Sequence, residues 1–232
     1  MVRWLEKARS AKRPVWLHDT AYTHRLLAGD PKVWLDPAAF AQWRRKSLQL
    51  LNPDVAVLDG AGLAQAWPHK TDFIRDTAFV QHVTELLRAL RASTDKPLAL
   101  DLPAPAITGL DEDAIDDLAA DIARLLRAQS EAGLDVILLR EPGPRLDLYT
   151  SLTNVAHHHR WEIGIYTPAA TPPNLGSFDF AIGPHPAAGV ELGSDFWQGA
   201  PAPCIATSCF YFVPIPPEAQ PEHVLARLGT LP

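Results

Sequence analysis

The chain has 232 residues, 47% of them hydrophobic and 21% charged, which supports one sizeable core and excludes disordered and fibrous architectures. Its net charge of -6 is spread without a basic block, and no apolar run reaches the roughly 18 residues of a membrane span, so neither nucleic acid nor a membrane is an expected partner. Proline is the outlier: fourteen of the 22 fall after Glu141, where Arg145, Arg160 and Arg227 are the only basic residues and lysine is absent.

In chain order, the basic start lacks the apolar core and small-residue cleavage site of a secretory signal, so a cytoplasmic location is expected. A first strand is read at 14–17, followed by the polar residues His18, Asp19, Tyr22 and His24. Asp36-Pro37 then opens a helix, with aspartate as N-cap and proline at the first helical position. This helix is expected to expose Arg44, Arg45 and Lys46 and to bury Phe40, Trp43 and Leu50. A strand at 55–58 runs into Asp59, which Gly60 and Gly62 follow. The next helix, about 71–92, carries Phe79, Val83, Leu86, Leu87 and Leu90 at spacings of three and four. A strand at 98–102 contains Asp101. The helix after it, about 111–131, has its acids in the first turns and Arg124 and Arg127 late, as the helix dipole favours, with Gly133 placed to cap its end. Further strands are read at 136–139, before Arg140 and Glu141; at 163–166, ending in Tyr166; at 178–182, before His185; and at 205–213.

Short apolar strands alternating with amphipathic helices are the pattern of a parallel sheet. Seven of them predict a single α/β domain over 1–232, a (β/α)8-type TIM barrel whose eighth strand is not placed. Such barrels usually need about 250 residues. The second half is therefore expected to be shortened or distorted, and an open barrel is the alternative.

In a parallel barrel the chemistry gathers where the strands end, because the βα loops converge there. This selects His18, Asp59 and Tyr166 as candidate catalytic groups and Asp19, Tyr22, Asp101, Arg140 and Glu141 as candidate substrate-binding groups. His18 and Asp19 are adjacent in an extended segment, so only one of them can face the barrel mouth. Asp59 either caps the helix after it or faces a cationic group or protonated intermediate; both readings stand at this stage. His157, His158 and His159 lack metal-motif spacing and read as a solvated helix end, and Cys204 and Cys209 read as packed thiols. No dinucleotide, P-loop, nucleophile-elbow or zincin motif occurs, so no cofactor and no metal are expected.

Several segments resemble the uroporphyrinogen decarboxylase family. Pro14-Val15-Trp16-Leu17 resembles its opening PVWLMRQAGRY, and NPDVAVLDGAG at 52–62 resembles the strand that ends in its substrate-binding aspartate, here Asp59. LALDLPAPAITGL at 98–110 resembles the strand with its GxPxTL-like turn, AQSEAGLDVILLREPG at 128–143 resembles AQIEAGADAVQIFDSWAG, and PPEAQPEHVLARL at 216–228 resembles its closing segment. The resemblance implies a barrel enzyme acting as a homodimer on a small organic substrate. The family's carboxylate-binding arginines fall on Asp19 and Thr23, its tyrosine has no counterpart near Leu110, and its late histidine is missing from FYFVPIPP.

The leading expectation is thus a diverged decarboxylase-like lyase acting on a small molecule at the carboxyl ends of the strands. A second is a methyltransferase working with a corrinoid or thiol partner, although the HxC pair of such relatives is absent from GIYTPAA. A third is a non-catalytic barrel that binds a ligand or protein, which an exposed apolar patch at Trp161 or Phe196-Trp197 would favour.

Overall fold

A computed structural model of the chain describes Trp4 and residues 14–68, 73–104, 111–140, 146–167, 175–183, 189–205 and 210–231. Within these residues the apolar runs form eight strands: β1 Val15–His18, β2 Ala56–Asp59, β3 Leu98–Pro103, β4 Val136–Arg140, β5 Glu162–Tyr166, β6 Phe180–Gly183, β7 Gly189–Glu191 and β8 Phe210–Pro214. All pairings are parallel, in the order β1-β8-β7-β6-β5-β4-β3-β2. The sheet curls into a nearly closed (β/α)8-type barrel with its seam between β1 and β2. Asp54 stitches the amino end of that seam: Val15 N–H donates to its carboxylate at 2.7 Å and Asp54 N–H donates to Val15 O at 3.1 Å.

The eighth strand that the sequence left unplaced is β7. It is three residues long and only five residues beyond β6, too close for the about ten or more that a crossover usually needs. Compression of the second half is therefore real at this point. The longer helices accompany the first half: α1 Pro37–Leu51, α2 Gly60–Ala66, α3 Thr77–Arg91, α4 Glu112–Ala128 and α5 Thr150–His158, with α6 Pro221–Leu228 after β8. Aspartates cap four of them, Asp36 as expected and Asp59, Asp76 and Asp111 besides, each accepting from backbone N–H groups of the first turn. Helix α3 starts later than periodicity suggested, because Asp76 caps it and Phe73–Arg75 forms a separate 3-10 turn.

Two expectations for α1 are corrected. Arg44 is fully buried, whereas Leu50 is exposed. The buried positions are Phe40, Trp43, Arg44, Ser47, Leu48 and Leu51, a single stripe at spacings of three and four that includes Arg44 and misses Leu50. Cys204, read as packed, is exposed, and Cys209 lies outside the described residues. His157 and His158 do end α5, with His157 Nε2 3.2 Å from Asp179.

Alternation along the strands separates two cores. Residues pointing out, among them Ala56, Leu58, Leu100, Ile137, Leu139 and Ile163, pack against Phe40, Phe79, Leu86, Ile122 and Leu152 of the helices. Residues pointing in include Trp16, Val57, Ala99, Leu138, Phe180 and Phe212, and Trp4 packs edge-on against Trp16 and Phe210. So many rings fit a small interior because glycines face them. A Cβ on Gly164 would lie 2.1 Å from the Phe180 ring. Gly164→Ala is accordingly expected to cost about 1–3 kcal/mol in urea unfolding, as overpacked cores do; an unchanged midpoint would count against this packing.

Candidate functional site

The register that builds the barrel also builds the site. Asp59 pairs with Asp101, Pro103 with Arg140, and Arg140 with Tyr166. Strand side chains alternate, so His18, Asp59, Asp101, Arg140 and Tyr166, together with Glu191 on β7, share the inward parity of the apolar interior but sit at the carboxyl ends. Below them the interior is apolar and packed; at this level it turns polar.

Asp101 is the hub. It is 1% exposed and receives Arg140 through Nε, at 2.8 and 3.0 Å to its two oxygens, and through Nη2 at 2.6 Å. His18 Nε2 lies 3.3 Å from Asp101 Oδ2 and 4.0 Å from Asp59 Oδ2, across the β1–β2 seam. That nitrogen is shielded from solvent and makes no well-aligned hydrogen bond among the described residues. Burial pushes the Asp101 carboxyl up, but the Arg140 charge and the His18 contact outweigh it and hold the group below the usual carboxylate range. For Arg140 burial works against the charge, yet its pairing with Asp101 keeps it raised and cationic.

Of the two readings of Asp59, the structure shows the cap. Oδ1 accepts from Ala61 N–H at 3.0 Å and Gly62 N–H at 3.1 Å, capping α2, while Oδ2 turns to His18. Tyr166 donates its phenol to Glu191, at 3.0 and 3.1 Å to the two oxygens, and the Arg140 guanidinium stands 5.2 Å from its ring and 6.0 Å from that of Phe212. Burial and then the Glu191 charge push the phenol up to about 12. Because the folded value lies above the ordinary 10, the proton contributes stability below about pH 10 that is lost as pH rises through about 12. An ultraviolet titration should show one of the four tyrosines ionising near 12, and that step should vanish in Tyr166→Phe. A wild type in which every phenol has ionised well below that value would refute the Glu191 pairing.

Two of the expected substrate-binding residues sit elsewhere. Asp19 follows the end of β1, with φ -103° and ψ -3° at the start of the turn Thr20–Thr23, and is fully buried against α1, where Arg44 meets it at 3.1 Å through both Nη1 and Nη2. Ser47 and Thr23 also donate to its carboxylate. Tyr22 is buried in the outer cluster with Leu17, Phe196, Trp197 and Tyr211. Glu141, and His185 with it, lie outside the described residues. Glu191 was missed because its strand was missed; its signal was the inward parity of an acid two residues after Gly189. Among the described residues no cluster of three or more His, Cys, Asp and Glu has metal-site geometry.

The arrangement offers a histidine poised between two carboxylates, an arginine that fixes one of them, and a protonated phenol on a glutamate. It can move a proton and hold charge next to it. The side chains of His18, Asp59 and Arg140 keep 18%, 13% and 24% of their surface open, although His18 Nε2 itself is shielded. No helix among the described residues is long and apolar enough to cross a membrane. Comparison of the sequence with models of known families and with curated proteins yields no match.

Proposed function

We propose that the chain is an acid–base enzyme of the lyase type that acts on a small organic substrate at the carboxyl ends of the barrel strands. The observation that carries the reading is His18 Nε2, held 3.3 Å from a buried aspartate that Arg140 fixes on its other side. A proton-transferring group works best when it is oriented by a third residue, and Asp101, 3.3 Å from His18 Nε2, is the group placed for that part. In a decarboxylation the bond from carbon to the carboxylate breaks, CO2 leaves, and its electron pair passes into an electron-accepting group on the substrate. The proton of His18 is then delivered to the carbon that lost the carboxylate. Asp59 Oδ2 faces the positive charge of the electron-accepting group, with Tyr166 and Arg140 on neighbouring strand ends.

The fate of the alternative sites supports a catalytic barrel over a purely binding one. Trp161, Phe196 and Trp197, the segments where an exposed apolar docking patch was looked for, are all buried. Cys204 is an exposed neighbour of Tyr211 and Arg227, whose strand residue points away from the barrel interior, so it adds no thiol to the mouth. The test is release of CO2 from a panel of small carboxylic acids in deuterated water, with one deuterium expected at the carbon that loses the carboxylate. His18→Gln should lower the rate by about 10²–10⁴-fold, the usual contribution of a positioned acid or base. No CO2 from any acid, or release untouched by His18→Gln, would reject the reading.

A further inference from the structure

We infer that the substrate presents a cationic nitrogen, an ammonium or amidinium group, to Asp59 Oδ2 at the barrel mouth. The inference rests on the acid–base reading of this site and adds the chemical class of its ligand.

The argument starts from which polar atoms are already committed. Asp101 is saturated by Arg140 and by the contact with His18. Asp59 Oδ1 is committed to two backbone N–H groups, which leaves Oδ2 without a hydrogen bond among the described residues, approached by His18 at 4.0 Å and within the field of the Arg140 charge. On the other side of the mouth Glu191 carries a second carboxylate, engaged by the neutral phenol of Tyr166. The inward-facing charges on the described strand ends are therefore three carboxylates, Asp59, Asp101 and Glu191, against one guanidinium, Arg140. Even a protonated His18 leaves an excess of negative charge at the strand ends, directly above the apolar interior, where a weak dielectric strengthens each interaction.

The mouth already shows how it treats an organic cation. The Arg140 guanidinium is gripped by a buried carboxylate along its edge and flanked by the rings of Tyr166 and Phe212, at 5.2 and 6.0 Å. Carboxylate at the edge and aromatic face alongside is the general recipe for guanidinium and ammonium recognition. At Asp59 the carboxylate is present, with the His18 ring beside it and that ring 6.2 Å from Phe212. A substrate carboxylate alone would meet Asp59 and Glu191 first, and like charges in one site repel. A carboxylate that departs as CO2 fits the same site where the cationic nitrogen belongs to a C=N+ group in conjugation with the reacting carbon, whose π bond takes up the electron pair; an ammonium holds the substrate but accepts no electrons.

Three ligands of one shape decide it: benzamidinium, neutral benzamide and benzoate, titrated into the intact chain and followed by ligand-detected NMR. Benzamidinium is expected to bind at least about tenfold more tightly than the other two, a difference of about 1.4 kcal/mol. Asp59→Asn should erase that preference while keeping the fold, because asparagine caps a helix as well as aspartate does. Unfolding in urea checks this directly. Tighter binding of benzoate, binding of none of the three, or a benzamidinium affinity unchanged in Asp59→Asn would overturn the inference. These outcomes are separable from the acid–base reading: cation preference without CO2 release retains the ligand class and rejects the lyase, and CO2 release with benzoate preferred does the reverse.

Discussion

Replacing Arg44 by methionine is expected to destabilise the protein by about 3–5 kcal/mol, the cost of leaving one member of a buried ion pair without its partner. Arg44 and Asp19 are both fully buried, and their contact is two-pronged, with Ser47 and Thr23 also donating to the Asp19 carboxylate. Methionine matches the length of the arginine stem, so the loss is of charge rather than volume. Substituting the exposed neighbours Arg45 or Lys46 in the same way should change stability by no more than about 0.5 kcal/mol. Adding Asp19→Asn to Arg44→Met should recover part of the loss, because the stranded carboxylate is then removed. Burial raises the Asp19 carboxyl but the Arg44 charge outweighs it, so its folded value is below the ordinary 3.8. The contribution is therefore complete above about pH 3.8 and fades as pH falls below it, a slope that Asp19→Asn should flatten. Urea unfolding at neutral and acid pH measures all of these. Equal effects of Arg44→Met and Arg45→Met would show that the pair carries no weight.

Asp101→Asn is expected to lower turnover on an identified acid by about 10²–10³-fold, mostly in kcat. Asparagine keeps the volume of the side chain but removes the charge that both neighbours use. His18 would lose the acceptor that orients it, and Arg140 would lose the carboxylate that receives its Nε and Nη2. The guanidinium would then be free to swing toward Asp59. Some destabilisation accompanies this change, softened because a quarter of the Arg140 side chain reaches solvent. The catalytic and structural parts separate in Arg140→Lys, which retains a cation near Asp101 but loses the forked geometry. That variant should keep most of the stability and lose much of the rate. If Asp101→Asn is fully active, the hub role assigned to this residue is wrong.

The parallel barrel was legible because its strands carry their own signature. The apolar runs at 55–58, 98–102, 136–139 and 163–166 correspond closely to β2 to β5, and the aspartates before α1 and α4 mark those helix starts. In the second half the signature thins: β7 is three residues with one glycine and one acid, below what a run of apolar residues can reveal. Missing that strand meant missing Glu191. The strand-end residues His18, Asp59, Asp101, Arg140 and Tyr166 were found because position at a strand end is a local property. Asp19 was drawn into the same set by adjacency, although the chain turns there and buries it against Arg44.

By itself the sequence determined which segments extend, which coil, and which polar residues stand where strands end, since these follow from periodicity, capping and alternation within a few residues. The partners of those residues were decided by the tertiary structure alone. Arg44 became a buried counter-ion 25 residues from Asp19, and Asp101 a hub between His18 and Arg140, with separations in sequence of 83 and 39 residues. The reason is physical: a charge can be buried only where another element brings it a partner, and strand register around the closed sheet sets that meeting.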